Sequence, residues 1–302
     1  MGDSRRGGST KGGEKPPFRK GVLLAVVAAG SFGASAPGVE HFGRGVGPFA
    51  TACLLYLGAL ALSLLPSKEG EPAKRSDAPR IVFSAMLGAV IAPAALAWGL
   101  QRAGATSGAL ALNLEAVFTV VLARVLFREP VGSRLVVALA LILAGGALLP
   151  FRMGSVDLRG GMGLLLVAVA TFVWAADSNV QRPLAQRRAT SVVLWKSFAG
   201  ASMSAVLAFA MREPWPDRTA ALALFGCGVV GYGVCLRAYL LAQREIGAAR
   251  TGSVFGFAPL LGAAIAFGLG DREGALVVLG ASVLLCAGVV VLAMEPAKPE
   301  PA

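Results

Sequence analysis

The sequence is short of the side chains from which soluble enzymes build active sites. Only 15% of its 302 residues are charged, whereas a soluble domain carries about 25%. It contains one histidine, His41, and four cysteines, none of which forms a CxxC pair. Because His41 has no partner at metal-ligand spacing, we expect no metal site, no disulfide framework and no cofactor.

The motifs of nucleotide-dependent and hydrolytic enzymes are also missing. The sequence has no P-loop, HExxH or GxSxG motif, and no GxGxxG after a strand pattern, so we expect that the protein is not an enzyme. The formal net charge of +11 does not indicate nucleic-acid binding. The basic residues lie in short segments between apolar runs, without interleaved aromatic residues, and anionic membrane lipid is the partner that such segments favour.

Apolar residues are abundant and make up 56% of the chain. They fall into runs of about 18 to 23 residues, the length that a helix needs to cross a hydrocarbon core of roughly 30 Å. This pattern predicts an all-α integral membrane protein with ten transmembrane helices. The ten runs lie at about 21–40, 46–65, 81–101, 105–127, 131–151, 160–180, 190–211, 219–242, 246–269 and 274–294.

Polar segments frame the ten runs. Residues 1–20 are rich in glycine, proline and charge, and we expect a disordered cytoplasmic N-terminus there, with a cytoplasmic tail at 295–302. Inside the first run, ASA (34–36) resembles the cleavage site of a signal peptide. Pro37 would directly follow the cut, and proline there disfavours cleavage. We therefore favour an uncleaved first span.

The distribution of lysine and arginine between loops predicts the orientation. With a cytoplasmic N-terminus, the cytoplasmic side holds 18 of these residues and the opposite side holds 7. Cytoplasmic loops of membrane proteins carry an excess of lysine and arginine. Ten spans then place both termini in the cytoplasm, and the compact loops fit a multi-pass protein of the bacterial cell inner membrane.

The second half of the sequence repeats the first. The fourth and ninth runs align at an offset of 143 residues, and the first and sixth align at an offset of 142, which places Phe32 over Trp174. Chance similarity of Ala- and Leu-rich helices is the alternative. We interpret the agreement as a duplicated five-helix unit, at 21–151 and 160–294. Because five is odd, the two repeats would cross the membrane in opposite senses, as in many secondary transporters.

Ionisable residues inside a span cost on the order of 2.5 to 3.5 kcal/mol at a helix centre, so those that are present are site candidates. Glu115 lies near the middle of the fourth run, too deep to reach water, and Thr119 lies one turn on along the same face. Glu115 is suited to carry a proton or to face a cationic substrate. A structural carboxylate bonded to a neighbouring helix is the alternative.

Asp177 and Lys196 lie at matching depths in the hairpin of the sixth and seventh runs, where an ion pair would offset the cost of both charges. Such a pair either lines a substrate path or locks the hairpin.

Pro93, inside the third run, is expected to kink its helix. Further candidates for the substrate pathway are the hydrogen-bonding Asn179, the aromatic Trp174 and Tyr232, and Arg237, for which snorkelling toward the cytoplasm is the alternative.

Several segments resemble EamA-type transporters of the drug/metabolite transporter superfamily. They are NLEAVFT (113–119) with LFREP (126–130), WAADSN (174–179) with Arg182, and GAARTG (247–252) with APL (258–260). The resemblance covers roughly residues 20–294 and adds Asn113 to the site candidates. It implies a ten-helix fold of two inverted repeats around a central cavity, and export or exchange of small organic molecules without ATP.

The function that the sequence favours is secondary transport of small organic metabolites or drugs, with protons as a candidate coupling ion at Glu115. The expected partners are a small-molecule substrate and membrane lipid, and the chain is expected to be a monomer or a homodimer. The alternative is a membrane scaffold or sensor that kept the fold but does not transport. An intramembrane enzyme would need a clustered catalytic set, which the sequence does not show.

Overall fold

The structure, a computed structural model, describes residues 17–65, 70–96, 98, 114–128, 132–148, 161–258, 261 and 275–293. Within these ranges the regular secondary structure is entirely helical. The long helical segments there are α1 Pro17–Phe42, α2 Pro48–Ser63, α3 Arg75–Leu96, α4 Leu114–Phe127, α5 Ser133–Leu148, α6 Gly161–Val180, α7 Ala189–Ala210, α8 Arg218–Phe255 and α9 Ala275–Ala293.

The length and apolar character of the helices fit a membrane. Among the described residues, four stretches are long and apolar enough to span one: Phe18–Val39 in α1, and the helices α3, α7 and α8. Shorter apolar helices lie in α2, α5 and α6. Because an α-helix satisfies its own backbone hydrogen bonds, it can cross lipid, which offers no polar partners. The chain is a multi-pass α-helical membrane protein, whereas the number of ten spans stays a prediction.

The boundaries of several helices match the apolar runs closely. Helices α6 and α7 lie within one residue of the predicted runs 160–180 and 190–211. The eighth run and the start of the ninth run lie in α8, which consists of two helices separated at Gly247, where φ is 80° and ψ is 168°. That positive φ is readily adopted only by glycine, so Gly247 breaks the helix where a loop was expected.

Two segments of π-helix interrupt α3 and α8. They are Met86–Ile91 and Val229–Val234, and they lie 143 residues apart, the offset at which the sequence repeats. A π-helix is rare and costs regular hydrogen bonding, so it often marks a functional position. The first segment ends two residues before Pro93, the residue expected to kink this helix. The sequence predicted a kink in this helix but not the π-helical segment.

Helices that are equivalent in the two halves pack against each other. This holds for α2 with α7 and for α5 with α9. The segment after α2 contacts the start of α7, because Ala73 N–H donates to Ser191 Oγ at 3.1 Å. The segment after α7 contacts the start of α2, because Gly47 N–H donates to the Pro214 carbonyl at 2.9 Å. The equivalent helices α2 and α7 therefore run antiparallel.

One end of the α2–α7 pair is fastened by Glu213, in an arrangement that we call the first clasp. Its Oε2 accepts hydrogen bonds from the N–H groups of Phe49 and Ala50, both at 2.9 Å, in the first turn of α2. The first N–H groups of a helix have no partner inside it. A carboxylate there satisfies two of them and also interacts favourably with the positive end of the helix dipole.

The opposite end of the pair carries a second clasp, built from Glu71, Asp77 and Arg187. The Arg187 guanidinium contacts Asp77 Oδ2 at 2.9 Å and Glu71 Oε2 at 3.3 Å. A hydrogen bond from Lys74, followed by the charges of Lys74 and Arg187, lowers the pKa of the Glu71 carboxyl below its ordinary value. The Glu71 side chain is largely exposed, so solvent screens this clasp more than the first.

The two clasps predict different sensitivities to mutation. Replacing Glu213 by alanine leaves two N–H groups at the start of α2 without their acceptor, and we expect a loss of roughly 1 to 2 kcal/mol of stability. Glu71→Ala is the matched control and should cost less, because its carboxylate is solvent-screened. Thermal unfolding of the purified protein in detergent measures both. Equal melting temperatures for the two variants would contradict the assignment of Glu213 as a helix cap.

Candidate functional site

A cavity of about 480 Å³ lies between the two halves of the chain. Residues of α1, α2, α3 and α4 of the first half and of α6 and α8 of the second contribute to its wall. The residues that line it are Phe32, Tyr56, Gly88, Glu115, Trp174, Asp177, Ser178, Gln181, Gly231, Tyr232, Cys235, Leu236, Tyr239 and Phe255.

The backbone carbonyl of Gly88 organises one side of this cavity. In the π-helical segment the N–H of Ala92 donates to Leu87, and the next residue, Pro93, has no N–H. The Gly88 carbonyl therefore lacks its usual helical donors and faces sideways. It accepts hydrogen bonds from the Tyr56 hydroxyl at 2.8 Å and from Trp174 Nε1 at 3.2 Å. The freed carbonyl thus fixes two aromatic rings of the cavity wall.

Asp177 and Lys196 form the ion pair that the sixth and seventh runs predicted. Lys196 Nζ lies 2.5 Å from Asp177 Oδ2, and Ser84 Oγ donates to Asp177 Oδ1, also at 2.5 Å. All three residues are buried. Gly88 leaves room for this group, since a Cβ at position 88 would collide with the Asp177 carboxylate. Each charge of Asp177 and Lys196 is therefore matched inside the protein.

Glu115 faces the same cavity but has no such partner. In the described part of the chain its carboxylate makes no hydrogen bond and no ion pair. A second cavity of about 350 Å³ adjoins the first and also contacts Glu115. The two cavities share Glu115, Phe32, Trp174 and Phe255. Glu115 therefore lies between the two cavities and contacts both.

Six aromatic rings form a continuous wall around Phe32. Its ring centroid lies 6.3 Å from that of Trp174, 5.9 Å from Tyr232 and 5.5 Å from Phe255. Tyr56 extends the wall from Tyr232 at 5.3 Å, and Tyr239 extends it from Phe255 at 5.2 Å. Edge-to-face contacts of this kind stabilise the packing of the rings. The wall contains all three tyrosines of the chain.

The other site candidates from the sequence differ in whether they line the cavity. Tyr232 and Trp174 line the cavity. Thr119 and Asn179 are buried behind it, with Asn179 Nδ2 donating to the carbonyls of Ala175 at 2.8 Å and Thr119 at 3.3 Å. Arg237 is half-buried on α8 and is not among the residues that line either cavity. Asn113 lies outside the described residues.

Sequence reasoning missed several lining residues, chiefly Tyr56, Tyr239, Gly88 and Phe255. The tyrosines carried a usable signal, since aromatic residues with polar groups concentrate at the two membrane interfaces and these lie inside apolar runs. Gln181, four residues after Asp177, is a further residue of the cavity wall. It is 2% exposed, lines the cavity, and its Oε1 has no hydrogen-bond partner among the described residues.

The group formed by Ser84, Asp177 and Lys196 has an uncharged counterpart at the equivalent positions of the repeat. At the offsets of the repeat, Asp177 corresponds to Ser35, Lys196 to Cys53 and Ser84 to Cys227. The backbone arrangement is nevertheless the same. Gly88 approaches Asp177, and Gly231, 143 residues later, approaches Ser35 so closely that a Cβ there would collide with the hydroxyl. The two sides of the cavity share geometry but differ in charge.

Comparison with known proteins agrees with this architecture. The EamA-like transporter family matches residues 19–150 and again residues 161–294. A protein described as an uncharacterized transporter, from Methanothermobacter thermautotrophicus (strain Delta H), is 30% identical over 200 residues, which are 64% of this chain and 58% of that protein. The match thus spans less than two thirds of the relative's length.

A solved crystal structure has the same fold, with a TM-score of 0.76 and 19% identity over 90% of this chain and 94% of the other. At that identity the likeness concerns the fold alone. The family match covers nearly the whole chain and falls once on each half. This chain therefore belongs to the EamA-like transporter family and carries two copies of its repeat.

Proposed function

We propose that this protein is a secondary transporter that moves a small organic solute through the cavity between its two halves. Transport is export or exchange, is independent of ATP, and is coupled to protons at Glu115. The protein resides in the cell inner membrane with both termini in the cytoplasm. Membership of the EamA-like transporter family favours transport over an enzymatic reaction.

An inverted repeat of five-helix units, 21–151 and 160–294, supports this proposal. The antiparallel packing of α2 against α7 is the arrangement that two units threaded in opposite senses would produce. The π-segments Met86–Ile91 and Val229–Val234 occupy equivalent positions in the two units. Inverted repeats place the substrate near the bilayer midplane at the interface of the repeats, and the cavity lies at that interface.

The observation that carries the proposal is the Glu115 carboxylate in the cavity wall, which pairs with none of the described residues. Asp177 in the same wall is held by Lys196 and Ser84, so its charge is already compensated. Glu115 must find its compensation elsewhere, and in a largely apolar cavity a proton or a bound solute supplies it. A carboxylate that binds either a proton or the solute, but not both at once, exchanges the two across the membrane as the cavity opens alternately to each side.

The clasps offer a structural basis for alternate opening. They lie at opposite ends of the α2–α7 pair, and each joins the two halves of the chain. Opening of the cavity at one end requires release of the clasp at that end, while the other continues to hold the halves together. Domain movements of this kind pivot on small contact sets that break and re-form.

Replacing Glu115 by glutamine should abolish proton exchange without unfolding the protein. The full chain would be reconstituted in liposomes that contain a pH-sensitive dye, and challenged with an aromatic amine, an aromatic amino acid and a purine. We expect at least one solute to drive proton movement by the wild type, and Glu115→Gln to reduce that movement to the background of protein-free liposomes.

The matched control for this experiment is Glu245→Gln. Glu245 pairs with the exposed Lys20 at 3.1 Å and lies outside the cavity, so its neutralisation should leave proton movement intact. Wild-type proton movement by Glu115→Gln would remove Glu115 from the coupling step. If the wild type moved no proton with any of the three solutes, the scaffold or sensor alternative would be favoured instead.

The buried ion pair allows a separate prediction about structure and transport. Lys196→Met should destabilise the protein by about 3 to 5 kcal/mol, because it leaves the Asp177 charge buried and uncompensated. The double variant Asp177→Asn, Lys196→Met removes both charges and should recover most of that loss in thermal unfolding. If the pair only locks the hairpin, the double variant transports normally. We expect it to fold and to transport slowly, because Asp177 lines the cavity.

A further inference from the structure

We propose that the solute is an organic cation, an ammonium group joined to an apolar body, which binds with its charge at Glu115 and its apolar part against the ring wall around Phe32. This inference rests on the proposed transport function and assigns its substrate class. Three independent properties of the cavity support it: the charge of its wall, a buried acceptor without a described partner, and the arrangement of the aromatic rings.

The charge of the wall is negative. Among the described residues that line the two adjoining cavities there is no lysine or arginine, whereas two carboxylates, Glu115 and Asp177, are present. Lys196 offsets the charge of Asp177 from behind at 2.5 Å. An ionised Glu115 then leaves the wall with one uncompensated negative charge. An anionic solute would be repelled there, and a cation would be attracted without any rearrangement of the pair.

The wall also contains a buried acceptor that a solute could use. Gln181 presents a side-chain oxygen that has no partner among the described residues. A buried acceptor without a partner destabilises a protein, and a solute with N–H groups would supply the missing donor. Two donors of the same wall, the Tyr56 hydroxyl and Trp174 Nε1, already bind the Gly88 carbonyl.

The aromatic wall suits a cation with an apolar body. Trp174 and Tyr232 both pack against Phe32, with ring centroids 6.3 Å and 5.9 Å from that of Phe32. Glu115 lines the space that Phe32 and Trp174 share with the adjoining cavity. The faces of aromatic rings attract ammonium groups, and this attraction strengthens when the ammonium group is desolvated.

Equilibrium binding of three isosteric probes tests the substrate class. The probes are 2-phenylethylammonium, 2-phenylethanol and 3-phenylpropanoate, which share a phenyl group and a two-carbon linker but are cationic, neutral and anionic. Binding to the full-length protein in lipid nanodiscs would be measured by calorimetry at pH 8. We expect the cation to bind at least about tenfold more tightly than the alcohol, which corresponds to 1.4 kcal/mol, and the anion to bind most weakly.

The variant Glu115→Gln should remove the tenfold preference for the cation while the alcohol binds as before. Glu245→Gln, which neutralises a carboxylate outside the cavity, should keep the preference. Equal binding of cation and alcohol to the wild type, tighter binding of the anion, or binding of none of the three up to the millimolar range would each overturn the proposal. So would a cation preference that survives in Glu115→Gln.

A liposome measurement separates this inference from the transport proposal. If 2-phenylethylammonium binds at Glu115 but moves no proton in liposomes, the cation site stands and the transport proposal fails. If only 3-phenylpropanoate or 2-phenylethanol exchanges with protons, transport stands and the substrate class is wrong. Exchange of 2-phenylethylammonium with protons by the wild type, and its loss in Glu115→Gln, supports both.

Discussion

Asp177 and Lys196 are almost fully buried, and each is stabilised mainly by the other. The pair joins α6 to α7, and Ser84 adds α3 through the second carboxylate oxygen. Three helices from both halves therefore meet at one carboxylate. A buried charge pair depends on close geometry, which holds this side of the cavity in place. Glu115 lines the same cavity without an ion-pair partner among the described residues.

The two halves of the protein share a backbone plan and have diverged in side chains. The π-segments of α3 and α8 occur at the same point of each repeat and bring Gly88 and Gly231 to the cavity. The freed carbonyl of Gly88 then binds Tyr56 and Trp174, two rings contributed by different halves. Duplication supplied the symmetric frame, and substitution at a few lining positions gave one side charge and the other small neutral groups.

Much of the fold could be predicted from the sequence, because lipid restricts the options so strongly. Helices α6 and α7 follow from the length of their apolar runs, and the Asp177–Lys196 pair follows from the matching depth of two costly charges in one hairpin. The π-helical form of the irregular segments did not follow, since it accompanies close approaches of neighbouring helices to Gly88 and Gly231. The approach of Gly231 to Ser35 is an example.

Residues of the candidate site could be predicted only where the residue type itself is unusual inside a membrane span. Glu115 stood out because a carboxylate inside a span is expensive. Phe255 and Tyr239 did not stand out, because aromatic residues in apolar helices usually pack among lipids or other side chains. Their place in the cavity depends on contacts across the whole chain. The same holds for Glu213, whose role depends on backbone groups 163 and 164 residues away.

The chemical difference between the repeats has a consequence for the transport cycle. Two identical halves would give inward-open and outward-open forms of equal free energy, each populated half of the time. Here the Ser84–Asp177–Lys196 group lies on one side only, and Ser35, Cys53 and Cys227 occupy the equivalent positions on the other. In the transport cycle proposed above, the inward-open and outward-open forms would therefore differ in free energy. Because apparent affinity scales with the population of the competent form, such a transporter would bind solute from one side of the membrane at lower concentration than from the other.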